Sequence, residues 1–286
     1  MFYSSLRKSE CASRYDDTKV RACFAVTLVL SLFLPTLAGA HTSDYCDADF
    51  CEPGEKNVGC NPPPERGGPA CLTHDAAFNV NLTASEQQRI VDEHNRLRSL
   101  LASGRLGSFA PASRMPLLVW DNELARQASH NARSCMYGHD ECRNTHQFRF
   151  AGQNIALHRG PNQSAISFGE RMLKQIHSWW EEYNTTTQEQ LDTYPKNEPE
   201  SPIGHFTQMV SDRTWKIGCS AQHWKESNDS TAFYFVCNYS FTNMIGQPVY
   251  VKGSPASRCL TGQDGQYSGL CSKKEVIFST PSAIIN

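Results

Sequence analysis

The chain has 286 residues, of which 39% are hydrophobic, 20% charged and 10% aromatic. This ordinary globular composition excludes a collagen, a coiled coil or a wholly disordered chain. Its 27 Lys and Arg nearly balance its 29 Asp and Glu, so no bulk charge draws it to nucleic acid or to an anionic membrane surface. Twelve cysteines without one Cys-x-x-Cys pair point towards an oxidising compartment rather than a cytosolic metal cluster.

Residues 22–34 are an apolar run preceded by Arg7, Lys8, Arg14, Lys19 and Arg21, and followed by Pro35 and then Ala38-Gly39-Ala40. Basic flank, short apolar stretch and small-x-small site read as a secretory signal peptide over residues 1–40. The alternative is an anchor that stays in the membrane, but the run falls short of the roughly 20 residues a span requires. Cleavage after Ala40 leaves 22 basic and 26 acidic residues, a net charge of −4, and ten cysteines. An even count in a secreted chain implies five disulfides with no spare thiol.

Residues 41–80 carry Cys46, Cys51, Cys60, Cys71 and the run Asn61-Pro62-Pro63-Pro64 without an apolar period. They read as a stapled, irregular extension lacking a core of its own. Thr83 and Glu86 have the spacing of a capping box and open a helix with Ile90, His94, Leu97 and Leu101 on one face, ending near Gly104. Asp121 caps a second helix in which Leu124, Ala128, Ala132 and Cys135 repeat at helical spacing. A third helix is expected from about Ser167 to Tyr183, with Leu173, Ile176, Trp180 and Tyr183 on one stripe. The polar, proline-bearing segment Thr185–Pro202 reads as a surface loop.

Segments Trp215–Trp224 and Thr231–Tyr239, rich in aromatic and β-branched residues, flank the polar run Lys225–Ser230 and predict an antiparallel hairpin. Cys219 and Cys237, one on each strand, are placed to join across it. The tail 246–286 is rich in Gly, Ser and Pro, contains Cys259 and Cys271, and reads as a small cross-linked appendage. Helices around a modest sheet give the class α+β. The organisation expected is a leader (1–40), a cysteine-rich extension (41–80), a sandwich domain (81–245) and a tail with one disulfide (246–286).

Five ordered stretches resemble motif blocks of the CAP superfamily, which comprises cysteine-rich secretory, antigen-five and pathogenesis-related-one proteins. They are Glu93-His94-Asn95, residues 118–125, residues 152–156, residues 204–210 and residues 234–239. Asp44-Tyr45-Cys46, with Cys51, Cys60 and Cys71 behind it, and Tyr137-Gly138-His139-Asp140 before Cys142 are similar to the arthropod antigen-five (venom allergen five) branch. The resemblance implies a three-layer α-β-α sandwich. It also implies the pairings Cys46–Cys60, Cys51–Cys142, Cys71–Cys135 and Cys219–Cys237, which leave Cys259 to Cys271.

The family's central cleft presents two histidines and two carboxylates. Carried over by position, these are His139, His205 and Glu182, with Gln153 in the second acid position. Two neutral imidazoles near one carboxylate suit weak Zn²⁺ binding, whereas an amide exchanges no proton at neutral pH and weakens a catalytic reading. The plainer readings are a surface His139, a His205 that caps a helical turn, and a solvated Glu182. The remaining histidines read as structural or surface residues, and Trp179-Trp180 as core rather than a ligand platform. Ser211 stands where the family's signature continues with tryptophan, so that corner is looser unless Trp215 fills it.

Sequons at Asn81, Asn162, Asn184 and Asn228 are candidate glycosylation sites, and Asn238, inside a signature block, is expected to be packed. The expectation is therefore a secreted, non-enzymatic glycoprotein, an allergen or toxin in type, that requires no cofactor. Its partner is a small hydrophobic ligand, weakly held zinc, or an extracellular host protein; it takes no nucleic acid and has no membrane span after leader removal. The candidate walls for a hydrophobic ligand are Leu173, Ile176 and Trp180, with the loop Thr185–Pro202 as cover; the plainer and preferred reading is that this stripe simply packs on the sheet. The alternative is a metal-assisted peptidase using His139, His205 and Glu182.

Overall fold

The computed structural model describes residues 45–161, 166–197, 199–227 and 229–277. The leader 1–40 and the sequons at Asn162 and Asn228 lie outside these residues. In chain order the elements are α1 (Pro69–Leu72), β1 (Asp75–Asn79), α2 (Ala84–Ala102), β2 (Val119–Trp120), α3 (Asn122–Ala132) and β3 (Gly152–Pro161). Then follow α4 (Phe168–Trp180), α5 (Gln188–Asp192), α6 (Gly204–Met209), β4 (Lys216–Lys225) and β5 (Ser230–Tyr239).

The long helices begin where side chains satisfy their first N–H groups. Thr83 with Glu86, and Ser167 with Glu170, form complete capping boxes for α2 and α4, and the Asp121 carboxylate accepts from Glu123 and Leu124 at the start of α3. The α4 helix stops at Trp180, three residues before the expected end, and residues 181–184 tighten into a 3₁₀ turn.

The sheet runs β1-β4-β5-β3 with antiparallel neighbours, and β2 pairs parallel to β4. Successive strand residues face opposite sides, and here both sides are covered. On β5, Phe233, Phe235, Cys237 and Tyr239 pack with Ile90, Met172, Ile176 and Phe206 of α2, α4 and α6. Ala232, Tyr234 and Val236 pack with Ala128 and Ala132 of α3. The result is the three-layer α-β-α sandwich. The α3 layer lies so close to the sheet that a Cβ on Gly218 would sit 2.2 Å from the Ala125 nitrogen and 2.4 Å from the Asp121 carbonyl oxygen.

Among the described residues, five disulfides tie the frame: Cys46–Cys60, Cys51–Cys142, Cys71–Cys135, Cys219–Cys237 and Cys259–Cys271. Cys219 and Cys237 are direct cross-strand partners in the β4–β5 ladder.

Four features depart from the sequence reading. The cysteine-rich extension donates β1 to the sheet edge and buries Tyr45 and Phe50. A ten-residue strand, β3, forms the opposite edge. Within the expected loop Thr185–Pro202, α5 folds under a Thr187–Gln190 capping box. The tail is no appendage: Val249, Tyr250 and Leu270 join the main core, and Glu275 is buried against Arg114 and the Leu260 and Thr261 amides.

The corner at Ser211 is also filled differently. Trp215 packs on Phe148, at 5.9 Å between centroids, in the small cluster with Leu124. The buried guanidinium of Arg98 spans the corner by donating to the carbonyls of Met209, Ser211, Thr214 and Pro116. Among the described residues, no helix is long and apolar enough to cross a membrane.

Candidate functional site

The site sits at the start of β3, where alternation sends neighbouring residues to opposite faces. Gln153 turns towards the α3 side and Asn154 towards α6. The loop after α3 delivers His139, and the first turn of α6 delivers His205. Two layers thus contribute one imidazole each across a sheet edge, lining a cleft of about 750 Å³.

Each imidazole is wired through Nδ1. The His205 Nδ1–H donates to Glu182 Oε1 at 2.6 Å, while Glu182 Oε2 accepts from the backbone amides of His205 and Phe206 at 2.8 and 3.0 Å. Those amides are unpaired donors of a helix start, so one carboxylate both caps α6 and orients the ring. Trp179 stacks on the other side of His205, with its centroid 5.9 Å away and its plane at 18°.

The second ring is held by a different group. His139 Nδ1 lies 2.7 Å from Gln153 Oε1. The Gln153 amide nitrogen donates to Asp140 Oδ2 at 2.9 Å and to Asn238 Oδ1 at 3.0 Å. Both of those atoms accept, and Asn238 is itself oriented by donating to the Leu124 carbonyl. The amide can therefore face only one way, and its oxygen demands a proton on His139 Nδ1. Burial pushes the His139 pKa down, with Gln153 and Asp140 opposing and Arg143 and His205 assisting. With Nδ1 carrying the proton, Nε2 keeps the lone pair on each ring, the tautomer that ligates metals, and both residues line the cleft.

Two acids beside these rings, Glu182 and Asp140, are engaged by neighbouring donors, while a third, Glu200, lines the cleft and is exposed. Asp140 accepts from Arg143, Asn131 and Gln153. Glu182 accepts from three N–H groups and so orients the His205 ring. Among the described residues, no cluster of three or more His, Cys, Asp or Glu is poised to hold a metal.

Sequence reasoning missed Asn154, which donates to the His205 carbonyl and to the Tyr239 hydroxyl at 3.1 and 3.2 Å. Tyr239 in turn lies 3.0 Å from Nε2 of the buried His94. The sequence carried a partial signal, since His94 and Asn154 both belong to motif blocks. The Leu173 stripe follows its plainer reading: Ile176 and Trp180 are buried in the core. The loop instead sends Tyr194, Pro195, Lys196 and Pro199 to the histidine cleft. Of the candidate glycan sites, Asn81 and Asn184 are exposed, whereas Asn238 is fully buried.

The model of the cysteine-rich secretory protein family, CAP, matches residues 91–239, over half the chain. The protein is a CAP family member. It is 42% identical over 257 residues to venom allergen-1 of Aedes albopictus, covering 89% of this chain and 96% of that one. It is 44% identical over 245 residues to venom allergen-1 of Aedes aegypti, covering 85% and 92%. Among solved structures, the crystal structure of NaASP2 with Zn²⁺ aligns with a TM-score of 0.53 and 25% identity, covering 67% of this chain and 97% of that one. This CAP chain is thus similar to arthropod venom allergens along most of its length, and the three-layer fold agrees.

Proposed function

We propose that the protein is a secreted, non-enzymatic binding protein whose cleft holds a divalent transition ion, zinc above all, on Nε2 of His139 and His205. The observation that supports this is the double wiring of Nδ1 by Glu182 and Gln153, which leaves the Nε2 lone pair unused on two histidines that line one cleft. The donor set fits zinc rather than magnesium or calcium, which want oxygen ligands. With two protein nitrogens the ion is held weakly, and water fills the remaining positions. The relative solved with Zn²⁺ supports the reading, as do the disulfide frame and the venom-allergen relatives for secretion.

A metal-assisted peptidase has less support. The described cleft lining has no serine or cysteine nucleophile, and the carboxylates of Glu182 and Asp140 are held by three N–H groups each. Calorimetry with zinc tests the reading. Binding near pH 7.5 that is lost near pH 5.5, where free imidazole is largely protonated, supports it. Unchanged binding in His205→Ala rules the site out, and zinc-dependent turnover of mixed peptides restores the peptidase.

A further inference from the structure

The strand that carries Gln153 and Asn154 into the histidine cleft continues well beyond it. β3 is ten residues long, its register with β5 is unbroken from the pair Gly152 and Tyr239 to the pair Pro161 and Ser230, and it is the last strand on its side of the sheet. Which of its backbone groups face outward follows from the neighbouring disulfide. Cys219 and Cys237 oppose each other with Cα atoms 4.1 Å apart. That is the close spacing of a pair that exchanges no backbone hydrogen bonds, since bonded pairs stand about 5.5 Å apart. Cys237 therefore turns its N–H and C=O to β3, where it meets Asn154. Alternation then points the backbone groups of Ala156, His158 and Gly160 at β5 and those of Ile155, Leu157 and Arg159 away from it. Two contacts agree. The Ser230 hydroxyl of β5 donates to the Gly160 carbonyl at 3.4 Å, and the Trp179 indole N–H of α4 donates to the Ile155 carbonyl at 3.2 Å.

The two halves of this edge differ. Residues 152–156 are buried, whereas Leu157 is half-buried and His158 and Arg159 are exposed. Among the described residues, no further strand pairs with β3 and no hydrogen bond reaches the outward N–H and C=O of Leu157 or Arg159. Proteins ordinarily blunt such an edge with a short strand, a bulge or a covering element. The opposite edge is blunted in this way: β1 has five residues and a register shift between Asp75 and Phe78. The open half of β3 has no such shift, and Pro161, which lacks an N–H, marks its end.

We propose that the open half of β3 is a docking edge for an extended segment of a partner protein, taken up as an added antiparallel strand against Leu157 and Arg159. The occupant follows from the groups on offer. Donors and acceptors alternating at strand spacing match another peptide backbone, and side chains at every second position set the preference. Leu157 and Arg159 share one face. Leu157 packs in the cluster of Tyr234 and Val236, and Arg159 reaches Glu226 at 2.7 Å while staying exposed. The complementary strand therefore has an apolar residue opposite Leu157 and, two positions earlier, an acid opposite Arg159. A second copy of the chain fits less well. Only residues 157–161 are open, far less than the roughly 800 Å² a side that a stable interface buries. Two whole domains would have to meet along that stretch, whereas a flexible segment need only lay down a few residues. The edge works without any ion at the histidine cleft.

The test is nuclear magnetic resonance on the nitrogen-labelled mature chain with its disulfides intact. In the free protein, the amides of Ala156 and His158 should exchange slowly with solvent, and those of Leu157 and Arg159 at least about tenfold faster. Slow exchange at Leu157 and Arg159 would show the edge already covered and overturn the proposal. The probe is the blocked peptide acetyl-Thr-Glu-Thr-Val-Thr-amide, titrated while amide shifts are followed. We expect shifts centred on Leu157 and Arg159, and binding about two- to fivefold weaker when the peptide's Glu is replaced by Lys. Methylating the Val nitrogen, which faces the edge in this register, should weaken binding about three- to tenfold. Methylating the central Thr nitrogen, which faces away, should leave it nearly unchanged. Absence of shifts at these amides with millimolar peptide, or equal losses from the two methylations, overturns the proposal. Concentration-dependent dimerisation in sedimentation that protects the same two amides assigns the edge to a second copy and overturns the peptide reading. No variant of the protein is needed, so misfolding cannot mimic any outcome.

Discussion

Replacing Cys51 and Cys142 together by serine is expected to be the costliest single-bridge deletion. The bridge links residues 91 apart in sequence, the largest separation of the five. Cross-linking such a loop lowers the entropy of the unfolded chain, an effect worth about 4–5 kcal/mol for a loop of this length. The Cys219–Cys237 bridge spans 18 residues and gives about 3 kcal/mol by the same relation. The native contacts around the longer bridge do not depend on it. Val58 donates to the Cys142 carbonyl, Asn57 to the Asn144 carbonyl, and Asn144 to the Phe50 carbonyl. The folded state of the variant should therefore keep the extension docked and lose stability through the unfolded ensemble. Urea unfolding followed by tryptophan fluorescence measures the difference, with near-ultraviolet circular dichroism confirming that the native packing persists. A loss below about 2 kcal/mol, or a greater loss for the Cys219–Cys237 pair, refutes the loop-entropy account.

Three further outcomes are expected. Gly218→Ala places a methyl group against the α3 backbone, which cannot yield like a side chain, and should cost about 2–4 kcal/mol in urea unfolding. Gln153→Glu sets a carboxylate against Asp140 Oδ2 and Asn238 Oδ1. Its folded pKa rises above the unfolded value, so the variant should be about 2 kcal/mol less stable at neutral pH and recover as pH falls; a flat difference across pH would count against the repulsion. Burial depresses His94 to a pKa of about 4, the Ile90 carbonyl opposing and Arg98 assisting. The neutral ring's contribution is complete above the unfolded pKa of 6.5 and is lost as pH falls towards 4, removing about 2–3 kcal/mol by pH 4.5. A His94→Gln variant should flatten that acid limb, and an unchanged acid limb would assign the loss elsewhere.

How much was legible depended on the range of the interactions involved. Capping boxes at Thr83–Glu86 and the Asp121 cap are local, so the starts of α2 and α3 were visible from neighbouring residues alone. The β4–β5 hairpin was visible because its strands are adjacent and rich in aromatic residues. The strand β3 was not. Its first five residues are buried on both faces, which erases the alternation that marks a half-exposed strand. The strand β1 lies in a polar segment and pairs with a strand more than 130 residues away. The short α5 was legible in principle from Thr187 and Gln190, but its three flanking prolines argued louder for a loop.

The same division holds for the site. Motif blocks pointed to His139, His205, Glu182 and Gln153, and residue chemistry alone determined that Gln153 could not serve as an acid. What each residue does was decided by tertiary structure. Glu182 became a helix cap and ring orienter because the backbone amides of His205 and Phe206 converge on it, an arrangement absent from any one-dimensional spacing. Gln153 fixes the proton on His139 because Asp140 and Asn238 arrive from a loop and from a neighbouring strand. A sequence supplies the inventory of donors and acceptors. Only packing decides which of them are already spent, and that determines which lone pairs remain for a ligand.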